Sequence, residues 1–195
     1  MTDGFDEKSL VKKAQDGDKG AFEELMRRYE KKIYCFVLSY VKNPHDAEDV
    51  TQDTFLRAYR FINSFAFRSS VSTWLHTIAK NMSMTFIKKK STYSCVSAET
   101  EEMDLYETSV VCAASGQKTP EDQVIGDELM IYIKNAIESL PDEFREVIVM
   151  REINSLSYTE IAEITESELG TVKSRISRGR AMLREFLSEY TGKNK

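Results

Sequence analysis

Residues 156–164 read Leu-Ser-Tyr-Thr-Glu-Ile-Ala-Glu-Ile, and residues 170–180 read Gly-Thr-Val-Lys-Ser-Arg-Ile-Ser-Arg-Gly-Arg. Ser157 and Glu160 stand three apart, the spacing at which a cap hydroxyl and a glutamate satisfy each other's backbone donors. Ile161, Ala162 and Ile164 supply the buried side of that short helix. In the second stretch Val172, Ile176, Leu183 and Phe186 point inward at helical spacing. Thr165 to Ser167 interrupt the pattern; Ser167 suits the cap of the second helix and Glu168 its first turn. Two short helices around a turn, the second with five bases and no acid from Leu169 to Arg184, fit a helix-turn-helix. The side opposite Val172 and Ile176 presents Ser174, Ser177 and Ala181, flanked by Lys173 and Arg178. Arg175 falls nearer the core boundary, within reach of a phosphate. Lys173, Ser174 and Arg178 are expected to read the major groove, within a DNA-binding set of Thr171, Lys173, Ser174, Arg175, Ser177 and Arg178. A solvated basic face is the alternative.

Working outward, 195 residues allow two small domains, and only three prolines and eight glycines favour helix throughout. The net charge of −5 speaks against nucleic acid until its distribution is read. Between Ser91 and Met130 stand nine acids and one base; the remainder carries 26 bases against 23 acids, a net of +3. The acid is segregated in one stretch. No apolar run is long enough to span a bilayer, so direct membrane insertion is not expected. The acidic, polar N-terminus does not read as a signal peptide. Cys35, Cys95 and Cys112 lack any metal spacing and fit reduced thiols in a cytoplasm best, with a redox switch as the alternative.

Helical stripes divide the chain into two units. Phe22, Leu25, Met26, Tyr29, Ile33, Phe36, Val37 and Tyr40 form the first long stripe. Asn43-Pro44 caps and starts a second helix that buries Thr51, Phe55, Ala58 and Ile62. After a polar segment from Asn63 to Ser72, a third helix carries Trp74, Leu75, Ile78, Met82 and Phe86. The Ser-, Thr- and Glu-rich stretch that follows has no helical period and reads as a linker. The fold expected is all-α: a domain over 8–92, a flexible acidic linker over 93–119, and a helix-turn-helix domain over 120–190. There is no HExxH, P-loop or Cys/His zinc pattern, so no catalytic residue, metal or cofactor is expected. Asp46, Asp49 and Asp53 share a helix spacing but lack a second ligand-bearing motif.

Both halves resemble a known family. The two opening stretches and Leu140-Pro-Asp-Glu-Phe-Arg-Glu-Val147 resemble the C-terminal domain of extracytoplasmic-function (ECF) sigma factors of the sigma-70 family. Asp18-Lys-Gly-Ala-Phe22, residues Asp46 to Arg57, Ser72-Thr-Trp-Leu75 and Ile78-Ala-Lys-Asn81 resemble the N-terminal domain. The match covers nearly the whole chain apart from the linker, and both halves in this order are specific. The resemblance implies a polymerase specificity subunit, not an enzyme, that directs promoter-specific transcription initiation. It implies a sigma-2-like bundle and a sigma-4-like helix-turn-helix, with the recognition helix on the duplex −35 element. Asp46, Glu48, Asp49, Gln52 and Asp53 would dock on core bacterial RNA polymerase, offering an acidic surface to a basic partner. Residues 63–81 would capture the single-stranded −10 element, with Phe65, Phe67, Arg68, Trp74, Asn81 and Lys88 as contacts. Trp74 also suits a buried anchor. The resemblance further implies an anti-sigma factor as partner and a cytoplasmic location, with membrane attachment only through that partner.

The sequence departs from the family in the turn. Glu166, Ser167 and Glu168 stand where Gly, an apolar residue and Pro are usual, and a non-Gly residue with positive φ costs roughly 1 kcal/mol or more. Thr85 and Lys88 replace a common Asp and Arg, and Val71 an aromatic. Three rivals remain at this level: a conventional duplex-binding regulator, a nuclease and a structural helical protein.

Overall fold

The computed structural model describes residues 7–93 and 131–193, and all its regular elements are helical. The linker expected over 93–119 lies outside these residues, save Tyr93, as does the helix start expected near Thr119.

The N-terminal unit comprises α1 (Glu7–Gln15), α2 (Lys19–Val41), α3 (Pro44–Phe61), a 3-10 turn (Ile62–Ser64) and α4 (Val71–Tyr93). Local chemistry sets the boundaries. Asp18 caps α2 by accepting from the Ala21 N–H at 3.1 Å, and Lys42, at φ 60°, ends it by donating its N–H to Leu38. Asn43 accepts from the Asp46 N–H at 3.1 Å and Pro44 follows in the first turn, the cap the sequence spells. Ile33, Phe36 and Val37 of α2 meet Val50 and Phe55 of α3 and Leu75 of α4 in the core. Ala47, Ala58 and Ala79, all fully buried, let the helices approach closely. Helix α1 is a separate element that the sequence reading did not resolve. It ends at Gln15, and the chain turns at Gly17, φ 94°, before α2.

In the C-terminal unit a helix over 131–139 (α5) is followed by α6 (Asp142–Ile148), α7 (Tyr158–Thr165) and α8 (Leu169–Lys193). Helix α6 runs into a π turn at Val149–Ile153, where the Asn154 N–H reaches the Val149 carbonyl at 3.1 Å. Buried Arg145 closes α5, donating to the carbonyls of Ile137, Glu138 and Leu140 and pairing with Asp142. Helices α6 and α8 cross at Gly179, where a Cβ would lie 2.8 Å from Ile148 Cγ1.

Three expectations are corrected. Phe186 is 37% exposed, because only Val172 and Ile176 of the proposed inward stripe reach the core fully. The Ser167 hydroxyl donates to the Thr165 carbonyl at 3.2 Å instead of capping α8, where the Val172 N–H donates to the Glu168 carbonyl at 3.1 Å. Cys35 is disulfide-bonded, so the reading of reduced thiols fails there; its sequence spacing carries no pairing signal.

The two units also pack directly against each other. The Glu160 carboxylate accepts from the Ser70 hydroxyl at 2.8 Å and the Thr73 hydroxyl at 3.1 Å. Lys80 pairs with Glu146 at 3.4 Å and donates to the Ile164 carbonyl, while Tyr40 donates to Glu146. His76 meets Asn154 at the centre of this seam. These are polar contacts, invisible to a reading based on apolar stripes.

Candidate nucleic-acid interface

Helix α7 forms with its expected capping box: Ser157 accepts from the Glu160 N–H at 3.2 Å, and Glu160 accepts from the Ser157 N–H at 2.9 Å. Burial works against the Glu160 carboxylate, but the bonds from Ser157, Ser70 and Thr73 outweigh it and hold its pKa below the usual range. The turn closes at Glu166 in the left-handed region, φ 51°, so the strained geometry foreseen for a non-Gly residue is present. Its N–H satisfies the last carbonyls of α7, and the Ser167 N–H reaches Ala162 at 3.0 Å.

Helix α8 then presents Lys173, Ser174, Ser177 and Arg178 exposed, with Thr171 and Arg175 half-buried beside them. Its basic side chains sort into two kinds. Arg175 pairs with Glu143 at 3.3 Å and Arg180 with Glu152 at 2.6 Å. Lys173 and Arg178 make no ion pair among the described residues, so their charges face solvent. The helical wheel separates Arg175 from Lys173 and Arg178 but does not name the partners Glu143 and Glu152.

In the N-terminal unit the segment after α3 is an aromatic cluster. Phe65 is buried, and its ring lies 5.0 Å from both Phe67 and Trp74. Trp74 is half-buried, the anchor-like placement; Phe67, at φ 56°, is half-buried at the edge. Arg68, Asn81 and Lys88 are exposed. The cluster therefore brings Phe65, Phe67 and Trp74 together, with Arg68 next in the chain and exposed, while Asn81 and Lys88 lie further along α4.

On α3, Glu48, Asp49, Gln52 and Asp53 are exposed, as a docking face requires. Asp46 is instead tied to Lys90 at 2.6 Å. Sequence reasoning missed Leu56. It is 55% exposed, more than any other large apolar side chain described, and it falls three and four positions after Asp53 and Gln52 on the same face. An apolar residue amid acids on one helical face was the available signal. Among the described residues no group of three His, Cys, Asp or Glu side chains could hold a metal, and no helix is long and apolar enough to cross a membrane.

Residues 25–92 match the family described as Sigma-70 region 2, and residues 130–183 match Sigma-70, region 4. The chain is 40% identical over 185 residues to the ECF RNA polymerase sigma factor SigW of Bacillus subtilis, covering 93% of this chain and 97% of that one. The chain belongs to the ECF sigma factors of the sigma-70 family. It is also 34% identical to the ECF sigma-E factor of Haemophilus influenzae, over 94% of this chain and 96% of that one. Among solved structures, the sigma factor RpoE in complex with the anti-sigma factor NepR from Bartonella quintana is 26% identical. It gives a TM-score of 0.64 over 86% of this chain and 96% of that one. CnrH, solved with the cytosolic domain of CnrY, shares the fold at a TM-score of 0.65 over 94% of this chain and 97% of that one, at 22% identity. As an ECF sigma factor, the protein directs promoter-specific transcription initiation and is a specificity subunit, not an enzyme.

Proposed function

We propose that this sigma factor divides its work along the two domains, 8–92 and 120–190, joined by the acidic stretch 93–119. The observation that carries the reading is the pair of unpaired cations, Lys173 and Arg178, flanking exposed Ser174 and Ser177 on α8. That edge suits the major groove of a −35 duplex, with Thr171 and Arg175 at its margin. When DNA arrives, a phosphate can replace Glu143 as the partner of Arg175. The aromatic cluster suits a flipped or unstacked −10 base: Phe67 and Arg68 at the edge, Phe65 and Trp74 as its floor, Asn81 and Lys88 along the strand's path. The α3 face of Glu48, Asp49, Gln52 and Asp53, with Asp46 at its start, docks on core bacterial RNA polymerase. A relative solved with an anti-sigma factor supports such a partner here, and a cytoplasmic location follows from work on the polymerase.

Ser70, Thr73, His76 and Lys80 belong to the segment assigned to the −10 strand, and all four are engaged by the C-terminal domain. Strand capture along α4 therefore requires the two domains to part. The test is promoter opening by the reconstituted holoenzyme, read as permanganate reactivity of unpaired thymines. Phe67→Ala and Arg68→Ala should each strongly reduce, without abolishing, reactivity at the −10 element while duplex −35 binding persists. Lys173→Ala and Arg178→Ala should weaken −35 binding. Full opening by the first pair of variants would defeat the assignment of the loop.

A further inference from the structure

The −10 loop is held from outside by the first helix. Gln15, the last residue of α1, donates from its Nε2 to the Ile62 carbonyl at 2.9 Å and to the Phe65 carbonyl at 2.9 Å. One primary amide has two protons, and both go to the two ends of the 3-10 turn that opens the loop. The Ile62 carbonyl also accepts from the Phe65 N–H at 3.1 Å, so both its lone pairs are filled. Two helical turns earlier on the same face of α1 stands Lys8, its ammonium 5.6 Å from the centroid of the Phe67 ring. Val11, fully buried, sits between them along α1.

This bracing matters because the loop stores strain. Phe67 adopts φ 56°, a left-handed region that strains an ordinary L residue. Such a conformation persists only where the surroundings over-determine it. The carbonyl of Phe65, two residues away, is fixed by Gln15, and the Phe65 ring is packed against Phe67 and Trp74. Released from Gln15, the Phe65 carbonyl loses its tie to α1, and the turn is held by its Phe65-to-Ile62 backbone bond, the Ser64 hydroxyl bond to the Phe61 carbonyl and the packing of the aromatic rings.

We infer that Gln15 is a positioning residue for −10 strand capture: it holds the turn so that Phe65 stays anchored and Phe67 presents its ring at the edge. The inference rests on the assignment of this loop to the −10 strand. Gln15 acts through the aromatic pair and not by touching DNA.

The test uses the full chain bound to core bacterial RNA polymerase. The probe is a fluorescent single-stranded DNA carrying the non-template −10 sequence of a promoter the holoenzyme transcribes. Gln15→Leu, which keeps bulk and removes both donors, should weaken capture about tenfold, as loss of a bidentate hydrogen bond implies. Gln15→Glu, isosteric and without donors, should do the same, and Gln15→Lys, which restores a donor, should recover most of the loss. In a Phe67→Ala background Gln15→Leu should add little, because its effect passes through that ring. Core affinity and duplex −35 binding should stay within about twofold. Unchanged capture by Gln15→Leu and Gln15→Glu would overturn the inference. So would an undiminished loss in the Phe67→Ala background, or a parallel loss of core and −35 binding. If Phe67→Ala itself captures normally, the loop assignment fails and takes the inference with it. That result is distinct from an inert Gln15→Leu beside a damaged Phe67→Ala.

Discussion

The side chains of His76 and Asn154 meet across the boundary between the two domains, with Asn154 Nδ2 2.8 Å from His76 Nε2. His76 Nδ1 lies 2.7 Å from the Ser72 carbonyl, which can only accept, so the ring proton is on Nδ1 and Nε2 accepts from the Asn154 amide. The His76 side chain is fully buried in the seam. Its bond to Asn154 requires the neutral ring.

A pH dependence follows. Burial pushes the His76 pKa down to about 4, with Lys32 also lowering it and the Ser72 carbonyl and Glu160 opposing. The folded pKa lies below the unfolded value of about 6.5, so the unfolded chain binds the extra proton first. This contribution is fully present above pH 6.5 and is lost as pH falls toward 4, at most on the order of 3 kcal/mol. Urea unfolding at pH 7.5 and pH 5 should show the loss, and His76→Gln should flatten that part of the profile. An equally steep profile in His76→Gln would remove His76 as its source.

Glu160 serves two helices at once, the cap of α7 and the Ser70–Thr73 start of α4. Glu160→Ala should cost about 1–2 kcal/mol by losing the cap and should also loosen the domain pair. Thermal unfolding reads the first effect, and an increased radius of gyration in small-angle scattering reads the second. Glu163→Ala, at an exposed position on the same helix, serves as the control and should change neither.

Glycine in mid-helix is ordinarily worth replacing, since alanine gains about 1 kcal/mol in propensity. Gly179 should behave in the opposite sense. An added Cβ would press on Ile148, itself fully buried, and overpacking at such a contact costs about 1–3 kcal/mol. Gly179→Ala should therefore lower the melting temperature, whereas Gly170→Ala, with open space around it, should not.

Leu56 predicts a separation of stability from binding. Being 55% exposed, Leu56→Ala should leave the melting temperature nearly unchanged. As an apolar centre among Gln52, Asp53 and Asp49, it should weaken core polymerase binding by about tenfold or more. A fluorescence-anisotropy titration against core enzyme measures this directly.

Much of the fold was legible because its signals are local. Asn43 with Pro44, and Ser157 with Glu160, form the caps their spacing spells, and the stripe from Phe22 to Tyr40 buries Phe36 and Val37 as its period requires. What was not legible depends on partners distant in sequence. The helical wheel sets Arg175 nearer the core boundary than Lys173, but its partner Glu143, 32 positions away, leaves no local signal. The Gln15 bridge to Ile62 and Phe65 spans about fifty residues and leaves no periodic trace. The His76–Asn154 seam joins two polar residues that an apolar-stripe reading assigns to no face. Phe186 shows the converse error, a correct period carried past the point where the core ends.

The most direct measurement is in vitro transcription with core bacterial RNA polymerase, with and without this protein, on a promoter library. Promoter-specific transcripts should appear only with the protein and should be lost when Lys173 and Arg178 are both replaced by Ala. Arg175→Ala, which removes the assigned phosphate contact, should instead flatten the salt dependence of −35 duplex binding by about 0.9. Transcripts that persist undiminished in the Lys173→Ala/Arg178→Ala protein would contradict the assigned reading helix. No protein-dependent transcripts, together with tight duplex binding by the protein alone, would contradict the account as a whole.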